Sequence, residues 1–276
     1  AVWLGSGHVI LARRRSLQVS QRLQYTPRTI RVLLAAFGIS ALLAGGVLAL
    51  AILLPASPGA GLSARWIVGG IGGLALAGIL TPVTVWIAAA AVSPVERSIA
   101  RTFLVEAERR MRAYPGRVIG ITGSYGKTTT KFITASLLAS RYRVLKTPDG
   151  VNTTMGITRV IRKDLRDEHE LFVVEVAAYG PGEIREVCDI LRPRLGILTA
   201  VGVQHLDRFG TEAAIAEAKY ELLAALPAGG TAVVNADDPV CLTLAERSRA
   251  DGKRVGLYGM GETPRDLAVR ATEVKS

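Results

Sequence analysis

The sequence has little of what several common classes of protein require. Only two of its 276 residues are cysteines, Cys188 and Cys241. They are isolated from each other, so neither a disulfide framework nor a thiolate metal site is predicted, and a reducing setting fits. Aromatic residues make up 5% of the chain, too few for the stacking platforms of proteins that bind single-stranded nucleic acid. We therefore expect no nucleic-acid partner.

Acidic residues are also in short supply, which leaves a net charge of +11. The excess arginines are not spread over a face but flank two long apolar runs. Those before the first run are Arg13, Arg14, Arg15, Arg22, Arg28 and Arg31, and those after the second are Arg97, Arg101, Arg109, Arg110 and Arg112. Charge in this position is typical of membrane topology rather than of a DNA-binding surface.

The apolar runs cover residues 32–54 and 66–92 and contain no charged residue. About 20 apolar residues span a bilayer core, so both are predicted to be transmembrane helices. The alternative is a pair of buried core helices, although soluble cores rarely use stretches that are apolar on every face. Residues 1–12 are too short to span and are expected to be the end of a clipped helix, without a signal-peptide cleavage site. Residues 93–116 are predicted to be a juxtamembrane linker helix.

The arginine bias also predicts an orientation. The loop between the two runs carries one positive charge, so it is expected outside, with everything after residue 92 in the cytoplasm. This predicts a multi-pass protein of the cell (inner or plasma) membrane, in contact with the lipid bilayer. Gly69 and Gly73 form a small-residue pair that could seat a partner helix, which makes helix dimerisation a weak expectation.

From residue 117 onward, short apolar runs alternate with amphipathic stretches. Strands are predicted at RVIGIT, RVLK, LFVVEV, LGILTA, TAVVN and RVGLY. Helices are predicted at about 127–140, 155–165, 181–191, 211–226 and 239–250. This alternation predicts an α/β fold, a parallel sheet flanked by helices, over residues 117–276. Ligands of such sheets bind beyond the carboxyl ends of the strands.

The stretch GITGSYGKTTTK follows the first predicted strand. Gly123 and Gly126 allow the backbone to curl so that its N–H groups face an anion. Lys127 supplies a positive charge and Thr128 a hydroxyl for magnesium. Ile121 stands where the usual phosphate-binding loop has its first glycine. The position between a strand and a helix nevertheless predicts a phosphate-binding loop.

Three further polar residues stand out, two of them near the ends of later strands. Glu175 closes an otherwise apolar strand, where it is either exposed or bound to a cation or buried partner. His205 lies in a loop and is either a hydrogen-bonding loop residue or a ligand. Lys219 falls on the apolar stripe of a helix. It either extends its stem to solvent or is a desolvated lysine with a lowered pKa.

These segments together resemble the central ATP-binding domain of the Mur ligases. The matching stretches, in family order, are GITGSYGKTTTK, GVNTTMGIT, VVEVAAYGPGEI, RPRLGILTAVGVQHLDRFGT, AEAKYELL and NADDP. The stretches VVEVAAYGPGEI and HLDRFGT are most similar to the branch of the family that adds D-alanyl-D-alanine to a UDP-muramoyl-tripeptide. The resemblance implies an ATP-dependent amide ligase that acts through an acyl phosphate on a peptidoglycan precursor.

The resemblance also implies roles for individual residues. ATP would be bound by the loop and a later asparagine, namely Gly123, Ser124, Gly126, Lys127, Thr128, Thr129 and Asn235. Magnesium, in two sites, would be held by Thr128, Glu175 and His205. The catalytic residues would be Lys127, His205 and Lys219, the last carrying a carbamate derived from CO2. Asn152 and Thr153 would lie in the loop that approaches the acceptor substrate.

Other functions stay open at this point. The same ligase core could extend poly-glutamate, folate or a lipid-linked acceptor. From another class, a membrane-bound ATPase switch or transporter subunit would need the phosphate loop but not His205 or Lys219. The partners implied are a UDP-muramoyl-peptide or lipid-linked precursor and an amino acid or dipeptide. The family's C-terminal ligase domain is expected to be missing through clipping. The membrane segments are expected to lead directly into the ligase core, and whether a UDP-sugar-binding domain lies further upstream stays open.

Overall fold

The computed structural model describes residues 26–53, 62–202, 206–260 and 267–270. The chain divides into two compact units, Ala1–Ser98 and Ile99–Ser276. The first unit holds α1 (Pro27–Leu53), α2 (Leu62–Ile79) and the beginning of α3 (Thr81–Ala113). The rest of α3 belongs to the second unit, and most of the segment predicted as a juxtamembrane linker helix is helical as part of α3.

The run predicted as one spanning helix over 66–92 is divided between α2 and α3 at Leu80. The break precedes Pro82, which lacks an N–H group and cannot continue the backbone ladder of the preceding turn. Bonds of 2.9 Å from Leu80 N to Leu76 O and from Thr84 N to Leu80 O carry the helical path across the break. The run is therefore an interrupted helix rather than two separate elements pointing in different directions.

The glycines of α2 pack closely on α1. A Cβ atom added to Gly73 would lie 2.7 Å from the carbonyl oxygen of Ala44, and one added to Gly69 would lie 2.7 Å from the Cβ atom of Ala51. Since the earlier glycine meets the later alanine, the helices run antiparallel. The glycines thus seat a partner helix, as the small-residue pair predicts, and that helix is α1 of the same chain. Dimerisation through these glycines stays a prediction.

Polar pairs connect α1 to the first part of α3. The hydroxyls of Ser40 and Thr84 lie 3.3 Å apart, and Arg31 Nε donates to Glu96 Oε1 at 2.7 Å. The order of these contacts also makes α1 and α3 antiparallel. The unit is a helical hairpin in which the α2–α3 path returns along α1, and its charged pair lies at one end.

The outer surface of the hairpin is apolar. Large side chains such as Phe37, Leu42 and Trp86 are more than 70% exposed. Two helices, α1 and α3, are long and apolar enough to cross a membrane by length and composition, and little of either is buried within the protein. A soluble protein would normally cover such a surface.

The second unit is a seven-stranded sheet. Its strands are β1 (Arg117–Thr122), β2 (Val144–Lys146), β3 (Leu171–Glu175), β4 (Leu195–Leu198), β5 (Thr231–Asn235), β6 (Arg254–Gly259) and β7 (Leu267–Arg270). The order across the sheet is β2-β3-β1-β4-β5-β6-β7, and every neighbouring pair is parallel. This confirms the predicted fold class. The strand order reverses around β1, which is where ligands bind in open parallel sheets.

The helices of the sheet follow the predicted alternation. They are α4 (Lys127–Ala139), α5 (Thr154–Lys163), α6 (Glu183–Leu191), α7 (Leu206–Phe209), α8 (Glu212–Ala224) and α9 (Pro239–Ala250). The main core combines the end of α3, through Ala107 and Met111, with α5, α6, α8 and the apolar side chains of β1 and β3. Cys188 and Cys241 are both free and buried within the cores of this unit.

Candidate active site

The glycine-rich loop joins the central strand β1 to α4. Gly123 has a φ of 149° and Gly126 a φ of 77°, both in the range that side chains with a Cβ atom rarely adopt. A Cβ atom on Gly123 would also lie 2.0 Å from Thr199 Oγ1. The loop therefore depends on glycine for its backbone shape and for its close approach to the end of β4.

Lys127 opens α4 and folds over this loop. Its ammonium group donates to the carbonyl oxygens of Gly123 at 2.7 Å and Ser124 at 3.0 Å. Burial lowers the pKa of Lys127, and the nearby Glu175 carboxylate opposes this by raising it. The positive charge thus lies directly above the curled backbone, where a phosphate group would bind.

Of the other residues predicted to bind ATP in this loop, Ser124 is buried and Thr129 is exposed. Ser124 is buried, and its hydroxyl donates to the carbonyl oxygen of Gly202 at 2.9 Å and accepts from the N–H of Gly202 at 3.0 Å. Its side chain therefore fastens the loop to the segment after β4. Thr129 is exposed in the first turn of α4.

Glu175 is the centre of a buried polar network. The register places Glu175 beside Ile121, at the carboxyl end of β3. Its Oε2 atom accepts from Thr128 Oγ1 at 2.9 Å and from Lys131 Nζ at 3.0 Å. Its Oε1 atom accepts from Asn152 Nδ2 at 3.1 Å. The strand-end carboxylate is bound to partners rather than exposed, and it connects the phosphate loop to the loop before α5.

Lys131 also belongs to this network, although the sequence pattern does not single it out. It is one turn beyond Lys127 on α4 and is fully buried beside Glu175. Its ammonium group also donates to the carbonyl oxygen of Pro148 at 3.0 Å. The only signal in the sequence is its spacing of three residues from Thr128, which places the two side chains on the same face of a helix.

The network determines the charge of Glu175. Burial raises the pKa of a carboxyl group, but hydrogen bonds from Asn152, Lys131 and Thr128, with the charge of Lys131, outweigh this effect. The pKa of Glu175 therefore lies below its ordinary value, and the group is a carboxylate at neutral pH.

Asn152 and Thr153 have different local functions. Asn152 contacts Glu175 as described, so it belongs to the site. Thr153 is the N-cap of α5, and its hydroxyl accepts from the N–H of Gly156. A cap of this kind fixes where the helix begins and thereby the path of the loop that carries Asn152.

Lys219 lies on the buried side of α8, as its apolar stripe predicts. Only 4% of the residue is exposed. Burial lowers the pKa of Lys219 to about 8, with a further contribution from the positive charge of Lys127, while Glu221 and Glu183 act in the opposite direction. The desolvated alternative is therefore the one that the structure supports. A lysine with this pKa is partly neutral near pH 8 and can act as a nucleophile.

Asn235 ends β5 at the same edge of the sheet. Its Nδ2 atom donates to the carbonyl oxygen of Thr199 at 2.9 Å, and its Oδ1 atom accepts from the N–H of Asp237 at 3.0 Å. His205 lies outside the residues that the structure describes, so its predicted metal and catalytic roles stay predictions. Within the described ranges, no three histidine, cysteine, aspartate or glutamate side chains cluster as a metal site.

A surface cavity lies at the opposite edge of the sheet, where the strands begin. It is lined by residues such as Arg117, Arg194 and Arg254 and includes none of the residues predicted for the site. The predicted residues that the structure describes lie instead at the carboxyl edge.

A parallel sheet that reverses around β1, with a glycine-rich loop and a buried carboxylate at that point, defines an α/β domain with a phosphate-binding loop. The family model for the Mur ligase middle domain matches residues 121–276. The chain belongs to the Mur ligase family.

Curated relatives share this region. The chain is 41% identical over 130 residues to the UDP-N-acetylmuramoyl-tripeptide–D-alanyl-D-alanine ligase of Synechocystis sp., a match that covers 47% of this chain and 28% of that protein. It is 36% identical over 168 residues to the UDP-N-acetylmuramoylalanine–D-glutamate ligase of Thermus thermophilus, covering 61% of this chain and 37% of that protein. The chain thus spans well under half the length of these relatives.

Solved structures share the same fold. The MurF ligase from Thermotoga maritima in complex with ADP superposes with a TM-score of 0.53 and 32% sequence identity, over 58% of this chain and 36% of that chain. MurF from Acinetobacter baumannii gives a TM-score of 0.55 and 28% identity, over 59% of this chain and 35% of that chain.

Proposed function

We propose that the protein is an ATP-dependent amide ligase that acts on a peptidoglycan precursor at the cytoplasmic face of a membrane, and that it adds D-alanyl-D-alanine. The observation that carries the ligase proposal is the buried Lys219, with its pKa lowered to about 8. A lysine of this kind can be carbamylated by CO2. A nucleotide switch or a transport ATPase would need no such group.

The similarity to D-alanyl-D-alanine ligases supports the substrate class. UDP-muramoyl-tripeptide and D-alanyl-D-alanine are named for those relatives. The ADP complex of the T. maritima ligase supports ATP as the nucleotide. We propose the same two substrates for this protein.

The chemistry explains why ATP is needed. A carboxylate is a poor acyl donor because its leaving group would be oxide. Transfer of the terminal phosphoryl group of ATP to the carboxylate gives an acyl phosphate and ADP. The amine nitrogen then attacks the acyl carbon, an amide forms, phosphate leaves and a proton is released.

The residues of the carboxyl edge fit these steps. Lys127 would exchange its bonds to the carbonyl groups of Gly123 and Ser124 for bonds to phosphate oxygens. Thr128 and Glu175 supply a hydroxyl and a carboxylate oxygen, the kind of oxygen ligand that Mg2+ takes up together with nucleotide phosphates. Mg2+, when bound, would neutralise negative charge on the phosphates. A carbamate on Lys219 would add an anionic group, and Asn235 would lie near the base.

The membrane part of the proposal is supported by the hairpin. The outer face of α1, α2 and α3 is apolar, and the arginines lie at the ends of the apolar runs. This arrangement predicts that α1 and the α2–α3 path cross the bilayer, with Arg31 and Glu96 paired at the cytoplasmic end. A ligase held there would be close to membrane-linked steps of cell-wall synthesis.

The experiment uses the full-length protein in nanodiscs with Mg2+, ATP and bicarbonate. Phosphate release is measured with UDP-muramoyl-tripeptide and D-alanyl-D-alanine together, and with each omitted. We expect release only when both are present, and formation of the pentapeptide product by mass spectrometry. Release that needs neither, and that survives Lys219→Ala, would support a switch or transporter instead. Release with a poly-glutamate, folate or lipid-linked acceptor would reassign the substrate within the family.

A further inference from the structure

Lys131 and Glu175 form a buried ion pair at the centre of the site. The side chain of Lys131 is 0% exposed and that of Glu175 is 2% exposed, with 3.0 Å between Nζ and Oε2. Lys131 also bonds to the carbonyl oxygen of Pro148 and lies 5.0 Å from the ring centroid of Phe132. Its ammonium group is therefore fixed from three directions, and it cannot move away without losing all of these contacts.

The ion pair with Lys131 weakens the attraction of the Glu175 carboxylate for a divalent cation. A buried carboxylate without a positive partner attracts a divalent ion, and Mg2+ is commonly bound by one or two carboxylates together with the phosphates of a substrate. Here the carboxylate faces the ammonium group of Lys131 directly, and the charge of Lys127 also interacts with it. The negative charge of Glu175 is thus countered by Lys131 at 3.0 Å, and the positive charge of Lys131 repels a free Mg2+ ion at this short range.

Both carboxylate oxygen atoms of Glu175 already accept hydrogen bonds. Oε2 accepts two hydrogen bonds and Oε1 accepts one. Thr128 and Asn152 are only part-buried at these contacts and can turn toward a ligand. Lys131 is held by its second bond to Pro148, so it is the partner that stays.

We propose that Lys131 is a positioning residue that fixes Glu175 and cancels its charge, so that Mg2+ enters the site only together with the nucleotide phosphates. The inference rests on the proposed function, since it concerns the same metal. The phosphates of ATP supply the negative charge that the protein lacks. Metal and nucleotide then bind as one unit, and free Mg2+ does not occupy the site beforehand.

The test measures metal binding directly, with Mn2+ as a paramagnetic probe for Mg2+. Full-length protein is titrated with Mn2+ alone and with Mn2+ in the presence of a non-hydrolysable ATP analogue. The variants are Lys131→Met, which removes the charge but keeps an apolar stem, and Lys131→Arg, which keeps the charge. Lys163→Met, on the exposed end of α5, is the matched control.

We expect the wild type, Lys131→Arg and Lys163→Met to bind Mn2+ weakly without nucleotide. Lys131→Met should bind Mn2+ alone about tenfold more tightly or better, because the carboxylate is no longer neutralised. A folded Lys131→Met variant with the affinity of the wild type would overturn the inference. So would a wild type that binds Mn2+ as tightly without nucleotide as with it, and this second result does not depend on any variant folding.

The two proposals fail in different ways. If the wild type binds no nucleotide and forms no ADP, the proposed function is wrong, whatever the Mn2+ titrations give. If nucleotide binding and turnover are normal but Lys131→Met leaves the affinity for Mn2+ alone unchanged, only the role of Lys131 is wrong. Circular dichroism of each variant shows whether it is folded, and Lys131→Gln replaces Lys131→Met if the latter is not.

Discussion

Thr128 and Glu175 are 47 residues apart in the chain, yet the hydroxyl of the first donates to Oε2 of the second at 2.9 Å. The contact joins the helix after the phosphate loop to the end of the neighbouring strand β3. The sequence predicts both residues as magnesium ligands, and the structure brings them together. What holds them in place is the parallel register of β1 and β3, which sets Glu175 beside the last residues of β1.

This contact predicts the effect of removing the hydroxyl. Thr128→Val keeps the shape of the side chain but removes an oxygen from the proposed metal site. We expect the efficiency of MgATP turnover to fall about 10- to 100-fold, with a loss of about 1 kcal/mol in the free energy of unfolding. ADP formation at varied MgATP concentration measures the first, and urea denaturation the second.

A matched control for that change is Thr134→Val, two turns along the same helix. It removes a hydroxyl of the same kind from a half-buried position, away from Glu175. Turnover should stay at the wild-type level. Equal losses in both variants would mean that α4 responds to any such substitution and that the Thr128 hydroxyl has no special function.

Lys219 makes stability depend on pH in a defined window. Its pKa of about 8 lies below the ordinary value of 10.5, so the unfolded chain binds more protons between these two values. The free energy of unfolding should therefore rise as pH increases through this window. Relative to Lys219→Met, the wild type should gain up to about 3 kcal/mol between pH 7.5 and 10.5.

Denaturation of both proteins at several pH values, in buffer free of CO2, checks this. Taking the difference between the two proteins cancels the titration of tyrosines and other lysines. A difference that does not change with pH would show that Lys219 has an ordinary pKa. In bicarbonate labelled with carbon-13, a carbamate signal that is missing from Lys219→Met would support the proposed modification.

The close packing of Gly73 predicts that a larger side chain at this position destabilises the helical hairpin. A Cβ atom at this position would lie 2.7 Å from the carbonyl oxygen of Ala44, whereas one on Gly70 meets nothing within 4 Å. Gly73→Ala should separate α1 from α2 and cost about 1–3 kcal/mol. Gly70→Ala should have no such cost and is the control for a change in helix propensity.

The hairpin measurement is best made in detergent. Cysteines introduced in pairs across α1 and α2 should cross-link efficiently in the Gly70→Ala background and poorly in the Gly73→Ala background. Equal cross-linking in both would contradict the close packing of these helices. Cross-links between copies, rather than within one chain, would support a role of the glycines in dimerisation.

The backbone conformation and packing of Gly123 predict that a larger side chain at this position disrupts the phosphate loop. Its φ of 149° and the 2.0 Å separation that a Cβ atom would have from Thr199 Oγ1 leave no room for alanine. Gly123→Ala should abolish nucleotide binding and destabilise the domain by about 1–3 kcal/mol. Isothermal titration with an ATP analogue and thermal unfolding measure the two effects.

Gly252→Ala is the control for positive φ alone. Gly252 has a φ of 75° with nothing within 4 Å of an added Cβ atom. It should cost about 1 kcal/mol and leave nucleotide binding unchanged. If Gly123→Ala also bound nucleotide normally, the loop would not be the phosphate site.

Much of the sheet was predictable because local signals agree with the tertiary structure. The runs RVIGIT and TAVVN form β1 and β5 with the predicted bounds. The helix predicted at 239–250 is α9, where Asp238 caps the first turn and a proline follows it. Glu175 and Lys219 could be singled out because each interrupts an apolar pattern.

The remaining features depend on contacts between distant segments. Lys131 lies on a helix with many polar residues, and its partner is 44 residues away, so no local pattern distinguishes it from an exposed lysine. The partner of Gly69 and Gly73 could not be chosen from the sequence, since a small-residue face fits another copy as well as α1. The break at Leu80 depends on Pro82, which a membrane helix can also accommodate with a mild kink.

Both cysteine thiols of the chain are inaccessible to thiol-reactive labels. Cys188 and Cys241 are 2% and 0% exposed. Burial raises the pKa of the Cys188 thiol to about 12 and also raises the pKa of the Cys241 thiol. Maleimides react with accessible thiolates, and neither residue offers one at neutral pH. We therefore expect maleimide-linked fluorescent or spin labels not to react with the native cysteines of the folded protein. A single cysteine placed on the phosphate loop or the hairpin could be followed without first removing the natural ones.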